Sequence, residues 1–161
     1  MCINFTQIKK SIMVFNNNQY LSNSLEYVYQ PEIGQRTKCT ANTGVVVMTA
    51  ANTKLDGGLG TYYTVLQSGS ANGTLIKTIT VKTRVSVARS MVRLFIEDKS
   101  GNKDLIAEIE IPAVEQGSIQ QTFAVSMEVD YMLKYEYYLK ATTDVANATV
   151  VIAEGLDITF P

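Results

Sequence analysis

The chain of 161 residues has no histidine and no tryptophan, only two cysteines and only three prolines. Without histidine a Ser-His-Asp triad is impossible, and the commonest general base and metal ligand are missing. Cys2 and Cys39 are too few for a four-ligand zinc site, and no Cys-x-x-Cys occurs, so both read as incidental thiols in a reducing compartment. Long apolar runs are absent as well. Val45–Met48 is far short of the roughly 20 residues a membrane helix needs, and no membrane partner is expected. The opening residues place Lys9 and Lys10 after the apolar ones, which is not the order of a secretory signal. A net charge of −1 argues against bulk binding of nucleic acid. No Gly-x-Ser-x-Gly elbow, Walker loop or dinucleotide fingerprint occurs. The expectation is a chain with no catalytic residues, no cofactor and no metal.

What the chain has is β-branched weight: 16 Val, 13 Ile and 17 Thr, with nine Tyr. Such residues suit a pleated, half-buried surface better than a helix. From Thr43 onward, short strand patterns alternate with turn chemistry. Strands are expected at Val45–Thr49, Thr61–Gln67, Leu75–Val87, Met91–Glu97, Leu105–Ile111, 122–129, 134–141, Asn147–Ala153 and Leu156–Phe160. Within Leu75–Val87, the residues Leu75, Ile79, Val81, Val85 and Val87 are expected to share one face, opposite Thr78, Thr80, Lys82, Arg84 and Ser86. Met91–Glu97 is apolar on both faces, as a central strand is. Asp98–Lys103 reads as a hairpin loop, and the glycines near Gly57 as a turn. Eight or nine strands without an amphipathic helix predict an all-β fold, an antiparallel β-sandwich or jelly-roll of about eight strands over residues 43–161.

Residues 1–42 differ in composition. They hold Asn16, Asn17 and Asn18, seven further Asn or Gln residues, and no sustained period. They are read as an irregular N-terminal arm, partly ordered only against a neighbouring surface. Ile12–Phe15 and Leu25–Tyr29 are its orderable pieces, which makes Tyr27 and Tyr29 candidate interface residues.

The charges are unevenly placed. Between Gly57 and Ile96 lie Lys77, Lys82, Arg84, Arg89 and Arg93 with no acid, whereas Glu97 to Pro161 holds twelve acids and four lysines. Basic strands pairing with acidic ones across a sheet would account for this. So would a two-faced surface on which copies dock, with Arg84, Arg89 and Arg93 as contact residues, giving a homo-oligomer or symmetric array. Glu108 and Glu110 share one strand face, which reads as solvated charge rather than an acid pair for glycoside hydrolysis. Asp56 beside Gly57 and Gly58 is too few oxygens for calcium. Within 134–140, Tyr135 and Tyr137 are expected inward as core filling, with Tyr131 and Tyr138 on other surfaces, whereas a carbohydrate-binding module would use Tyr62, Tyr63, Tyr131 and Tyr138 as stacking platforms.

One series of motifs carries a resemblance. Thr49–Thr61 (Thr-Ala-Ala-Asn-Thr-Lys-Leu-Asp-Gly-Gly-Leu-Gly-Thr) leads into a strand. Ser70–Ile76, Met91–Ile96, Glu108–Pro112, Tyr138–Thr143 and Val151–Asp157 follow in order. Over residues 45–158 this series resembles small all-β proteins encoded among the virion genes of tailed bacteriophages, including crAss-like phages. The arm lies outside the resemblance. What it implies is a non-enzymatic virion protein made in the host cytoplasm: an auxiliary capsid or head-decoration protein that binds the major capsid protein or other virion proteins. A head-fibre or tail component is the alternative within that class.

Overall fold

A computed structural model describes residues 37–55, 58–117 and 122–160. Eight strands run in the order β1 (Lys38–Val47), β2 (Tyr63–Gln67), β3 (Thr74–Thr83), β4 (Ser90–Glu97), β5 (Lys103–Ile111), β6 (Ala124–Leu133), β7 (Tyr138–Thr143) and β8 (Thr149–Thr159). They form two four-stranded sheets, β1-β8-β3-β6 and β2-β7-β4-β5. Only β4 and β5 are consecutive strands within one sheet; every other connection crosses between sheets. That alternation is the jelly-roll arrangement, and each pairing with a defined register is antiparallel.

The core lies between the sheets. Ile79, Val81, Val151 and Ala153 from the first sheet meet Val92, Leu94, Ile96, Leu139 and Ala141 from the second. Alternation explains most of this, since one face of each strand is apolar. Two departures are informative. In β3 the register shifts between Ile76 and Thr78, so the inward set changes from Thr74 and Ile76 to Ile79, Val81 and Thr83. Ile76 is therefore buried in place of the expected Leu75. The strand also ends at Thr83, leaving Val85 exposed, while Val87 forms an isolated bridge to Val114. The second departure is at the start: residues 38–42, expected in the arm, belong to β1. The expected pair Asn147–Ala153 and Leu156–Phe160 is one strand, β8.

The sheets are stitched together at one end. Asn42 Nδ2 on β1 donates to the Gln67 carbonyl of β2 at 3.0 Å and to Asp157 Oδ1 of β8 at 2.9 Å. The same Asp157 oxygen accepts from Thr74 Oγ1 and from the Gly69 amide. Where the β1 and β2 backbones converge, Gly44 lies against Val65 so closely that no Cβ fits.

Candidate functional site

Because both sheets bury one face against the other, any partner meets the outer faces, the strand edges or the loops. The two outer faces are unlike. On the second sheet the outward residues of β4 are Arg93, Phe95 and Glu97. Arg93 Nε donates to Glu108 Oε1 at 2.9 Å, and Glu97 takes Lys103 and Lys140 at 3.0 and 3.3 Å. Phe95, between them, is 0% exposed although it faces away from the inter-sheet core. Tyr62 from the β1–β2 connection covers it edge-on, and the Lys103 ammonium lies 5.1 Å from the Tyr62 ring. Asn52 anchors that connection through its amide to the Thr143 carbonyl at 2.6 Å and its side chain to the Thr61 carbonyl at 3.1 Å. Tyr62 thus covers Phe95 on this face, and Arg93, Glu97, Lys103 and Lys140 are paired within the chain.

Arg89, further along, donates from Nε to Glu110 Oε1 at 2.6 Å, and that hydrogen bond, followed by the charge of Glu110, raises the guanidinium pKa above its ordinary value. Glu108 and Glu110 therefore each serve an arginine. Of the three candidate arginines, Arg93 is only 12% exposed and pairs with Glu108, Arg89 pairs with Glu110, and Arg84 faces solvent. Cross-strand register sets Arg93 opposite Glu108, while Arg89, just before β4, reaches Glu110 from beside its register partner Met91. Tyr27, Tyr29 and the Asp56–Gly57 pair lie outside the described residues.

Arg84 lies in an open groove of about 390 Å³ lined by Val47, Lys82, Thr83, Arg84, Gln116, Thr122 and Val150. Among the described residues, neither Lys82 nor Arg84 has a carboxylate within ion-pair distance, unlike Lys77, Arg89, Arg93, Lys103 and Lys140. Lys82 also belongs to the outer face of the first sheet. There the registers align three rows across β6, β3 and β8: Glu128–Thr78–Glu154, Ser126–Thr80–Ile152 and Ala124–Lys82–Val150. Thr80 and Ser126 share a hydroxyl hydrogen bond of 2.7 Å, and Glu128 and Glu154 are exposed and make no ion pair among the described residues, while Lys77, next to Thr78, pairs with Asp130 of β6.

Among the described residues, the outer face of the first sheet thus presents a basic end and an acidic row with no ion pair between them. Alternation alone hides this, because the bulge at Lys77 must be known before Glu128 and Glu154 can be aligned on Thr78. The sequence signal available was weaker: Lys82 and Arg84 two apart on a strand pattern.

The tyrosines do not form one platform. Tyr62 covers Phe95, the Tyr63 hydroxyl accepts from the Ala50 amide at 2.6 Å, Tyr138 carries the Lys140 ammonium 4.9 Å from its ring, and Tyr131 is exposed on β6. Among the described residues, no group of three or more His, Cys, Asp or Glu side chains is placed to hold a metal ion. No helix among them is long and apolar enough to cross a membrane. No protein-family model matches the chain, and no curated protein matches it.

Proposed function

We propose that this chain is a structural virion protein of a tailed bacteriophage, an auxiliary capsid protein that binds and stabilises the shell. The observation that carries this reading is the strand order β1-β8-β3-β6 against β2-β7-β4-β5, the double-sheet jelly-roll that viral shell proteins use. A fold hosts many functions, so the order of motifs over residues 45–158 supplies the rest of the support. The surface chemistry is consistent with such a role. Ion pairs join neighbouring strands on one outer face, while the other carries polar rows in which Lys82, Glu128 and Glu154 make no ion pair among the described residues. Many weak contacts repeated by symmetry give avidity that a single contact lacks.

The test is to purify particles of the phage that encodes the chain, quantify it by mass spectrometry and label it with an antibody. Many copies per particle with label on the head are expected. Label on the tail or on head fibres would move the assignment to the alternative virion locations, and absence from particles would overturn it.

A further inference from the structure

We propose that two copies of this chain pair face to face through the outer surface of the β1-β8-β3-β6 sheet, related by a two-fold axis that crosses the strands above Thr80. The proposal rests on the reading of the chain as an assembly subunit and names the partner of one of its faces. The argument begins with spacing. Thr78 and Lys82 point to the same outer face, since Ile79, Val81 and Thr83 between and beyond them are buried. Four residues along a strand are about 13 Å, so the acidic row at Thr78 and the basic row at Lys82 are farther apart than the ~8 Å screening length at physiological salt. Within one copy the two rows do not neutralise each other.

A second copy does this in one orientation. A two-fold axis parallel to the strands stacks each row on itself, placing four carboxylates in one cluster. An axis across the strands reverses their direction and keeps β3 above β3. With the axis above Thr80, Lys82 of each copy stands over Thr78 of the other, between Glu128 and Glu154, which flank it at roughly 5 Å on either side. The separation of stacked sheets, about 10 Å, is within reach of a lysine stem meeting a glutamate. Arg84, two residues beyond Lys82, lines the same groove and adds to the positive charge of that end. The central row, Ile152–Thr80–Ser126, packs on its own copy, and Val150 and Ala124 flank each lysine with apolar surface.

The magnitude is modest. Four strands of about ten residues offer roughly 600 Å² of face per copy, below the ~800 Å² per partner of a standard interface. A weak, salt-sensitive dimer is the consequence, one that opposite charges orient more than they tighten.

The test is sedimentation equilibrium of the full chain at several protein and NaCl concentrations, with circular dichroism to verify folding of each variant. A dimer that weakens with salt is expected. Lys82→Glu, and separately the double change Glu128→Lys with Glu154→Lys, are each expected to weaken it by about tenfold or more. Mixing the two reversed variants restores association. A wild-type chain that stays monomeric up to the concentrations reached in a particle, a Lys82→Glu chain that associates as before, or a mixture that fails to recover would each overturn the proposal. Particle labelling is independent of this result, so failure of the dimer leaves the virion assignment to be judged by its own experiment.

Discussion

The ring of Tyr62 meets that of Phe95 edge-on, with centroids 5.1 Å apart and planes at 82°. Phe95 is a fully buried side chain, yet it lies on the outer side of its sheet and its burial depends on the β1–β2 connection. Phe95→Ala is expected to destabilise the fold by about 3–5 kcal/mol, as other buried aromatic truncations do. Tyr62→Ala removes the cover rather than the filler, with an edge-to-face term of about 0.5–1.5 kcal/mol beyond the lost apolar burial. Because one contact is shared, the two changes together are expected to cost less than their sum in a denaturant double-mutant cycle. Strict additivity would show that the connection stands over Phe95 without being held by it.

Gly44 gives a sharper steric expectation. A Cβ there would lie 1.7 Å from the Val65 carbonyl oxygen, a backbone atom fixed by β2. Overpacking against movable side chains typically costs about 1–3 kcal/mol, and here the obstacle is not movable, so Gly44→Ala is expected to exceed that range. Gly101→Ala is the control. Its positive φ of 86° carries a conformational cost but nothing lies within 4 Å of the added methyl, so a loss of about 1–2 kcal/mol is expected. Urea denaturation of the two variants separates steric collision from backbone strain.

The contrast between β4 and β3 shows which parts of the structure a sequence can reveal. Val92, Leu94 and Ile96 alternate without interruption, and they are buried as the period requires. The all-β class follows from many such segments. In β3, Leu75 and Ile76 are both apolar, and the bulge that selects Ile76 is set by pairing with β6 and β8, which are distant in the chain. Position 95 illustrates the same limit: an outward phenylalanine reads as central-strand character, and only tertiary structure brings Tyr62 over it. The candidate arginines were visible as charge, but choosing between internal pairing and docking required register. Glu108 opposite Arg93 and Glu110 beside Arg89 give two of them a partner within the chain, and the unpaired Lys82 emerges by the same comparison.

Asp98 makes one hairpin pH-sensitive. Its Oδ1 accepts from the amides of Ser100 and Asn102 at 2.8 and 2.9 Å, and Oδ2 accepts from Asn102 Nδ2 at 2.9 Å. The Asn102 side-chain hydrogen bond, ahead of the backbone ones, holds this carboxyl below its ordinary pKa. A lowered folded-state pKa means the contribution is complete above the unfolded carboxyl value and is lost as pH falls through the folded one. Amide exchange at Ser100 and Asn102 is therefore expected to accelerate on acidification below the usual carboxylate range, after correction for intrinsic rates. Asp98→Asn is expected to abolish that acid step, and an unchanged acid step in this variant would place its origin elsewhere.

Thr142 and Thr143 are adjacent, both fully buried, and predicted to respond oppositely to the same substitution. Thr142 points outward across from Arg93, and both its hydroxyl and Arg93 Nη1 are buried without a hydrogen-bond partner. Thr143 Oγ1 instead donates to the Val145 carbonyl at 3.2 Å and accepts from the Val145 amide at 3.3 Å. An unsatisfied buried hydroxyl costs about 1–3 kcal/mol, whereas a satisfied one contributes about 1 kcal/mol net. Valine keeps the shape and β-branching of threonine while removing the polar atom. Thr142→Val is expected to leave stability unchanged or raise it by up to about 1 kcal/mol, and Thr143→Val to lower it by about 1–2 kcal/mol because the Val145 amide loses its acceptor. Thermal unfolding of the two variants under one buffer condition compares them directly. A destabilised Thr142→Val chain would mean that the hydroxyl has a partner in solution, and the Arg93 guanidinium opposite it is the first group to substitute in search of that partner.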